Sequence, residues 1–286
     1  MPGVVYADKP IAKKWDEIWS KTTIENQLNT INAWPDVDSI IMDVVHKLSE
    51  DPFLFEGGCG LGRYVIHLRE HGYRVVGLEY SAEALLALHK SQPDLNLSIG
   101  DVKAIGIKDH VFDLYLSLGV FEHFEEGPLE SLKEAQRILK PGGILLITGP
   151  YYLLNWAHRV KSWLAGQGYL RKIFRKPPLK KTKGDFFEYH YHPAEMKKLL
   201  ECGGFAVNKI SPIGMWIGIW GYFPIFRQKK TKKLTQTELA ESGQVRTSFL
   251  SLAVPICRVF ISLFPWAFAP AWCIVARSTL KFRKDS

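Results

Sequence analysis

A bend of glycines framed by carboxylates is the part of this sequence best suited to chemistry. Glu56-Gly57-Gly58-Cys59-Gly60-Leu61-Gly62 follows directly on the apolar run Phe53-Leu54-Phe55 and leads into Arg63-Tyr64-Val65-Ile66-His67-Leu68. The pattern predicts a short strand that breaks into glycines and enters a helix. Such a turn lets a ligand approach bare backbone, and the helix N-terminus favours an anionic group. A second strand, Tyr73 to Glu79, ends in a carboxylate 17 residues beyond Gly62. That is close to where a doubly wound fold places an acid that accepts both ribose hydroxyls. Tyr80 follows, in position to lie against an adenine ring, and Ser81 is a candidate N-cap for the next helix. A fourth strand, Val111 to Leu118, runs into Gly119-Val120-Phe121-Glu122-His123. Strand C-termini are where such folds hold ligands, so His123, beside Glu122, is the best-placed candidate base.

The glycine spacing decides which cofactor is expected. A dinucleotide loop wants Gly-x-Gly-x-x-Gly/Ala, but Arg63 or Val65 falls at the third position, depending on the starting glycine. Acidic-x-Gly-x-Gly-x-Gly does fit, with Glu56, Gly58, Gly60 and Gly62. This resembles motif I of the class I S-adenosylmethionine (SAM)-dependent methyltransferases. Asp101-Val102, after the third strand Leu95 to Ile99, and the turn Leu139-Lys140-Pro141-Gly142-Gly143 before the apolar strand Ile144 to Thr148 extend the likeness over roughly residues 52–149. The resemblance implies SAM as cofactor, surrounded by Glu56, Gly57, Gly58, Cys59, Gly60, Gly62, Glu79, Tyr80, Asp101, Val102, Leu118 and Gly119. In it, Asp101 accepts from the adenine amino group and the Val102 N–H meets a ring nitrogen. The Glu122-His123 pair is similar to that of quinone-pathway and other small-molecule methyltransferases. Some quinone O-methyltransferases carry a further metal-binding carboxylate upstream; Gly119 stands there, so no metal is expected.

Positioning these residues requires alternating strands and helices. The expectation is an α/β, doubly wound, Rossmann-like seven-stranded sheet with helices on both faces, plus two basic or aromatic insertions. The sixth strand is expected over Phe205 to Ile210, after a helix from Pro193 to Cys202, and the seventh over Trp272 to Arg277. The resemblance implies that the last strand lies antiparallel between the fifth and sixth. The expected organisation is an N-terminal, cofactor-covering helical segment (1–50), a SAM-binding core (51–150), a basic aromatic insertion (151–188), a core continuation (189–213), a hydrophobic insertion (214–270) and the last strand with a tail (271–286). The N-terminal segment offers Trp15-Asp16-Glu17-Ile18-Trp19 and a helix from Val37 to Leu48.

At 286 residues, 47% of them hydrophobic, the chain can bury a substantial core. Four scattered cysteines form no C-x-x-C pair, which argues against a zinc site or a disulfide framework, and the N-terminus does not read as a signal peptide. A reducing, cytoplasmic setting, with peripheral contact at a membrane, is the expectation. The net charge is +8, yet residues 151–184 carry nine lysines and arginines and no acid, so the remainder sums to −1. Aromatic residues such as Tyr151, Trp156, Trp163 and Phe174 interleave with those cations. The second insertion carries Met215 to Phe226, then the basic run Arg227 to Lys233, then an apolar stretch cut by Pro255, Arg258, Pro265 and Pro270. Neither apolar run reads as a clean span of the roughly 20 residues a bilayer needs. Basic segments with aromatic anchors suit an anionic membrane surface, and also nucleic acid.

The leading expectation is a methyltransferase acting on a small or lipid-linked acceptor at a membrane surface. An RNA or DNA methyltransferase with a basic clamp ranks second, since no Asn/Asp-Pro-Pro-Tyr loop and no Pro-Cys nucleophile are present. A catalytically silent SAM-binding subunit of a membrane complex ranks third. His190, in Glu188-Tyr189-His190-Tyr191-His192, is expected to line the acceptor pocket, with His190 and His192 facing one side of an extended segment. Acceptor atom and oligomeric state are left open.

Overall fold

The computed structural model describes residues 3–7, 11–151, 185–214, 266 and 269–281. Most of the two insertions therefore lies outside the described residues. The elements in chain order are β1 (Gly3–Ala7), α1 (Ile11–Ser20), α2 (Ile24–Ala33), α3 (Pro35–Val45), β2 (Phe53–Gly57), α4 (Arg63–Glu70), β3 (Arg74–Glu79), α5 (Ala82–Ser91), β4 (Asn96–Ile99), β5 (Phe112–Leu118), α6 (Leu129–Ile138), β6 (Leu139–Pro150), β7 (Asp185–His190), α7 (Pro193–Cys202), β8 (Phe205–Ile213) and β9 (Ala271–Ser278). A single 3-10 turn, Phe121–His123, follows β5.

Seven strands form one sheet in the order β4-β3-β2-β5-β6-β9-β8. β2 to β6 pair in parallel, and β9 inserts antiparallel between β6 and β8. The expected fold and the expected place of the last strand both stand. Period-two alternation sends side chains to opposite faces. Phe55, Tyr115, Leu145 and Ile274 pack with Leu132, Ile138, Met196 and Leu200 of α6 and α7. Their strand neighbours Leu54, Leu114, Leu146 and Cys273 pack with Val37, Ile41, Val65 and Leu85 of α3, α4 and α5. Burying a Leu or Phe side chain is worth roughly 1.5–3 kcal/mol, so both faces hold the sheet that carries the loops.

Two features depart from the sequence reading. The expected turn at Leu139 to Gly143 lies inside β6, whose pairing with β5 already starts at Phe112 and Leu139. The register shifts before Leu114 and Gly142 takes φ +75, so the Pro-Gly-Gly run bends the strand without ending it. The second departure is an added ribbon. β1 pairs antiparallel with β7, from Gly3 opposite His190 to Ala7 opposite Asp185. The N-terminal segment thus opens with a strand before its three helices.

Candidate active site

Parallel pairing brings the ends of β2, β3, β4 and β5 to one edge of the sheet. Gly58, Gly60 and Gly62 all have positive φ (+75, +56 and +74), which residues with a side chain rarely adopt. A Cβ at each would strike protein: Val120 at Gly58, the Trp19 ring at Gly60, Leu88 at Gly62, each at 2.5 Å. The missing side chains thus let the 3-10 turn, α1 and α5 close onto the bend. The Gly58 and Cys59 N–H groups donate to Leu78 O at 2.7 and 3.0 Å, tying the bend to β3.

Glu79 is the anchor of this region. Gly60 N–H donates to its Oε2 at 2.8 Å and Ser81 N–H to its Oε1 at 2.9 Å. Each oxygen retains capacity for a further donor, such as a ribose hydroxyl. Ser81 caps α5 by accepting from Ala84 N–H, and its hydroxyl donates to Asp16 of α1 at 3.3 Å. Tyr80 is 67% exposed at the tip of β3, and Gly100 N–H donates to Glu79 O. Asp101 Oδ1 accepts from Lys103 N–H at 2.9 Å, while the Val102 side chain enters the core beside Phe55 and Leu78. Cys59 and Gly57 are buried within the bend. Beneath it, Glu56 is fully buried, and burial pushes its carboxyl up to about 8, with the Glu79 charge adding to the rise and Arg63 opposing it. Its Oε2 has no hydrogen-bond partner among the described residues. Glycine backbone, a buried carboxyl and carboxylates on successive strand tips fit an adenosine-bearing sulfonium donor.

His123 is built into a second constellation. Its Nδ1 lies 2.8 Å from the Phe187 carbonyl. A carbonyl only accepts, so Nδ1 carries the hydrogen and the neutral ring keeps its lone pair on Nε2. Nε2 lies 3.9 Å from Glu188 Oε2, and the side chain is only 8% exposed. Burial lowers the imidazole below its ordinary value, against the smaller opposing pull of the Phe187 bond and the Glu188 carboxylate. The ring stands edge-on to Trp15 at 4.9 Å and to Phe187 at 4.8 Å. Glu122 is buried, and burial raises its carboxyl to about 8, with Glu188 adding to the effect. Gly119 sits in front of it, because a Cβ there would lie 3.7 Å from Glu122 Oε1. Leu118, partly buried, packs against the core face of α3, α4 and α5.

His190 Nε2 donates to Glu188 Oε1 at 2.7 Å, so Glu188 links His190 to His123. His192 parts from the expected pairing with His190: its side chain caps α7, accepting from Ala194 N–H in a capping box with Glu195. Sequence reasoning quoted Glu188 without giving it a role. It also left Trp15 and Trp19 as general cover and missed the Phe187 carbonyl. Trp15 and Trp19 stack at 5.7 Å, one over His123 and the other over Gly60. Their i, i+4 spacing on one helical face was the available signal.

A seven-stranded sheet of this order, with a glycine bend and a carboxylate at successive strand tips, defines the class I methyltransferase architecture. Comparison with known proteins agrees. Residues 55–147 match the family described as methyltransferase domain. The chain is 23% identical over 155 residues to a protein of Mycolicibacterium smegmatis named a probable S-adenosylmethionine-dependent methyltransferase, covering 54% of this chain and 52% of that one. It is 28% identical over 152 residues to the tRNA U34 carboxymethyltransferase of Cellvibrio japonicus, covering 45% and 47%. It is 27% identical over 146 residues to the 2-methyl-6-phytyl-1,4-hydroquinone methyltransferase of Synechocystis, covering 50% and 42%. The chain thus spans about half the length of the curated relatives it matches. The crystal structure of magnesium protoporphyrin IX methyltransferase from Synechocystis with bound SAH, the demethylated form of SAM, shares the fold, with TM-score 0.51, 14% identity and 93% of each chain covered. The fold is that of the class I SAM-dependent methyltransferases, residues 55–147 carry the methyltransferase-domain match, and these likenesses imply SAM as the cofactor. Among the described residues, no helix is long and apolar enough to cross a membrane.

Proposed function

We propose that this protein transfers a methyl group from SAM to a small or lipid-linked acceptor whose nucleophilic atom carries a proton. The supporting observation is the fixed tautomer of His123, with Nδ1 held by the Phe187 carbonyl and Nε2 left as acceptor beside the β5 tip. Glu56, Gly57, Gly58, Cys59, Gly60, Gly62, Glu79, Tyr80, Asp101, Val102, Leu118 and Gly119 would hold the cofactor, which supplies an electrophilic methyl carbon when bound. Glu79 would orient the ribose, and Asp101 would meet the adenine edge. Positioning can supply much of the rate of such a displacement. His123, kept neutral by burial, would take the acceptor's proton, with Glu122 and His190 lining the acceptor side.

The two insertions would bring the protein to an anionic membrane surface, and the hydroquinone relative, acting on a phytyl-bearing molecule, gives the lipid-linked reading its support. The second reading is an RNA acceptor held by the cations of residues 151–184, favoured by the tRNA-modifying relative. A silent SAM-binding subunit would keep the cofactor residues without turnover.

Calorimetry with SAH tests the cofactor assignment. Wild-type protein should bind, and Glu79→Gln should lose about 10- to 100-fold in affinity, the loss expected from one charge-assisted hydrogen-bonding pair, on the order of 1.5–3 kcal/mol. Binding of NAD without SAH, or an unchanged affinity in the variant, would sink the reading. Labelled methyl donor, supplied with lipid, metabolite and RNA fractions, then separates the acceptor classes.

A further inference from the structure

The mechanism above uses His123 alone, yet the carboxylate of Glu188 lies between two imidazoles. Its Oε1 accepts from His190 Nε2 at 2.7 Å, and its Oε2 faces His123 Nε2 at 3.9 Å. All three side chains are at most 20% exposed. The parts come from distant stretches of sequence: His123 from the 3-10 turn after β5, Glu188 and His190 from β7. β7 is itself held by the ribbon pairing with β1, in which Val5 stands opposite Glu188.

The geometry points to Glu188 as the positioning residue of the base, a carboxylate set to hold the imidazolium that His123 becomes on accepting a proton, with His190 fixing its orientation. The inference rests on the proposed proton transfer. In that step the acceptor's O–H or N–H bond breaks, the proton passes to His123 Nε2, and the electron pair stays on the acceptor atom. The ring then carries a positive charge shared between Nδ1–H, already donating to Phe187 O, and the new Nε2–H, which faces Glu188. In the resting state Nε2 and Oε2 are both acceptors, so no hydrogen bond joins them, and the pairing forms only as the proton arrives. A group that interacts more strongly with the charged product than with the neutral base raises its basicity at the moment of transfer. Among the described residues, the ionisable groups around His123 are Glu122 on its own turn and Glu188 and His190 on β7. From α1 the contact is the uncharged Trp15, flanked by Lys14, Asp16 and Glu17. Asp16 is engaged by Ser81, and Glu17 pairs with Lys21.

The test is a histidine titration by NMR on the full chain, with SAH calorimetry alongside. Glu188→Gln keeps the size of the side chain and can still accept from His190, but removes the charge. The midpoint of His123 should fall by about one pH unit, the effect expected of an opposite charge within roughly 4–6 Å, and Glu188→Asp should restore much of it. In the wild-type protein, which needs no substitution to fold, the side-chain carboxyl carbon of Glu188 should report a step at the His123 midpoint. A purely structural Glu188 would give no such step and an unmoved His123 midpoint in Glu188→Gln, and either result overturns the pairing. SAH binding with an unmoved midpoint would sink the pairing and leave the methyltransferase reading standing. A moved midpoint without SAH binding would do the reverse.

Discussion

Glu122 and Glu56 are carboxyls that the fold keeps out of water, and this gives the protein a pH signature. Both are raised from the ordinary carboxylate range to about 8, first by burial. A folded-state value above the unfolded one means that the unfolded chain releases its proton first as pH rises. The contribution of each group is therefore full below about pH 4.5 and is lost as pH climbs through about 8. Glu122→Gln removes that loss at one site. Its stability relative to wild type should rise by on the order of 3 kcal/mol between pH 5 and pH 9, read as the difference in urea midpoints. An equal offset at both pH values would mean that Glu122 is not held protonated by burial. The type and place of Glu122 were legible in the sequence. Its neutrality was not, because it depends on what covers it.

At the scale of elements, α1 is the part that turns an open strand edge into a covered site. Trp19 lies where a Cβ on Gly60 would go, and Trp15 stands against His123. Gly60→Ala must therefore accept a left-handed backbone, costing roughly 1–2 kcal/mol, and displace an indole that stacks on Trp15. The backbone part persists whatever sits opposite, whereas the steric part vanishes if Trp19 is truncated. Gly60→Ala combined with Trp19→Ala should then be less destabilising than the sum of the single variants, by about 1 kcal/mol, in a denaturation cycle. Strict additivity would show that α1 does not rest on the bend. A mid-sequence glycine pattern identified the bend itself. Its contact with a helix some 40 residues earlier is a long-range contact that no local period encodes.

For the whole molecule, charge is segregated: the nine cations of residues 151–184 stand apart in sequence from a remainder that sums to −1. Each lysine or arginine brought near an anionic leaflet can add about 1 kcal/mol. The proposed membrane contact therefore predicts co-flotation with vesicles containing anionic lipid, weakened by salt, and little with neutral vesicles. Failure to co-float would end that proposal, and a salt-sensitive gel shift with RNA in its place would favour the second reading.

The sequence by itself determined the strands of the sheet and the residue types at their tips, because each rests on local signals: an apolar run, a glycine bend, a terminal carboxylate; the place of the last strand and the cofactor came by resemblance. Only the tertiary structure decided how these groups are held. It showed that Glu79 spends its oxygens on the Gly60 and Ser81 N–H groups, that His123 has a fixed tautomer, and that Glu188 and His190 arrive from β7, 65 or more residues away. Hydrogen-bond geometry and burial are properties of segments brought together in space, and the linear order of residues carries no direct trace of them.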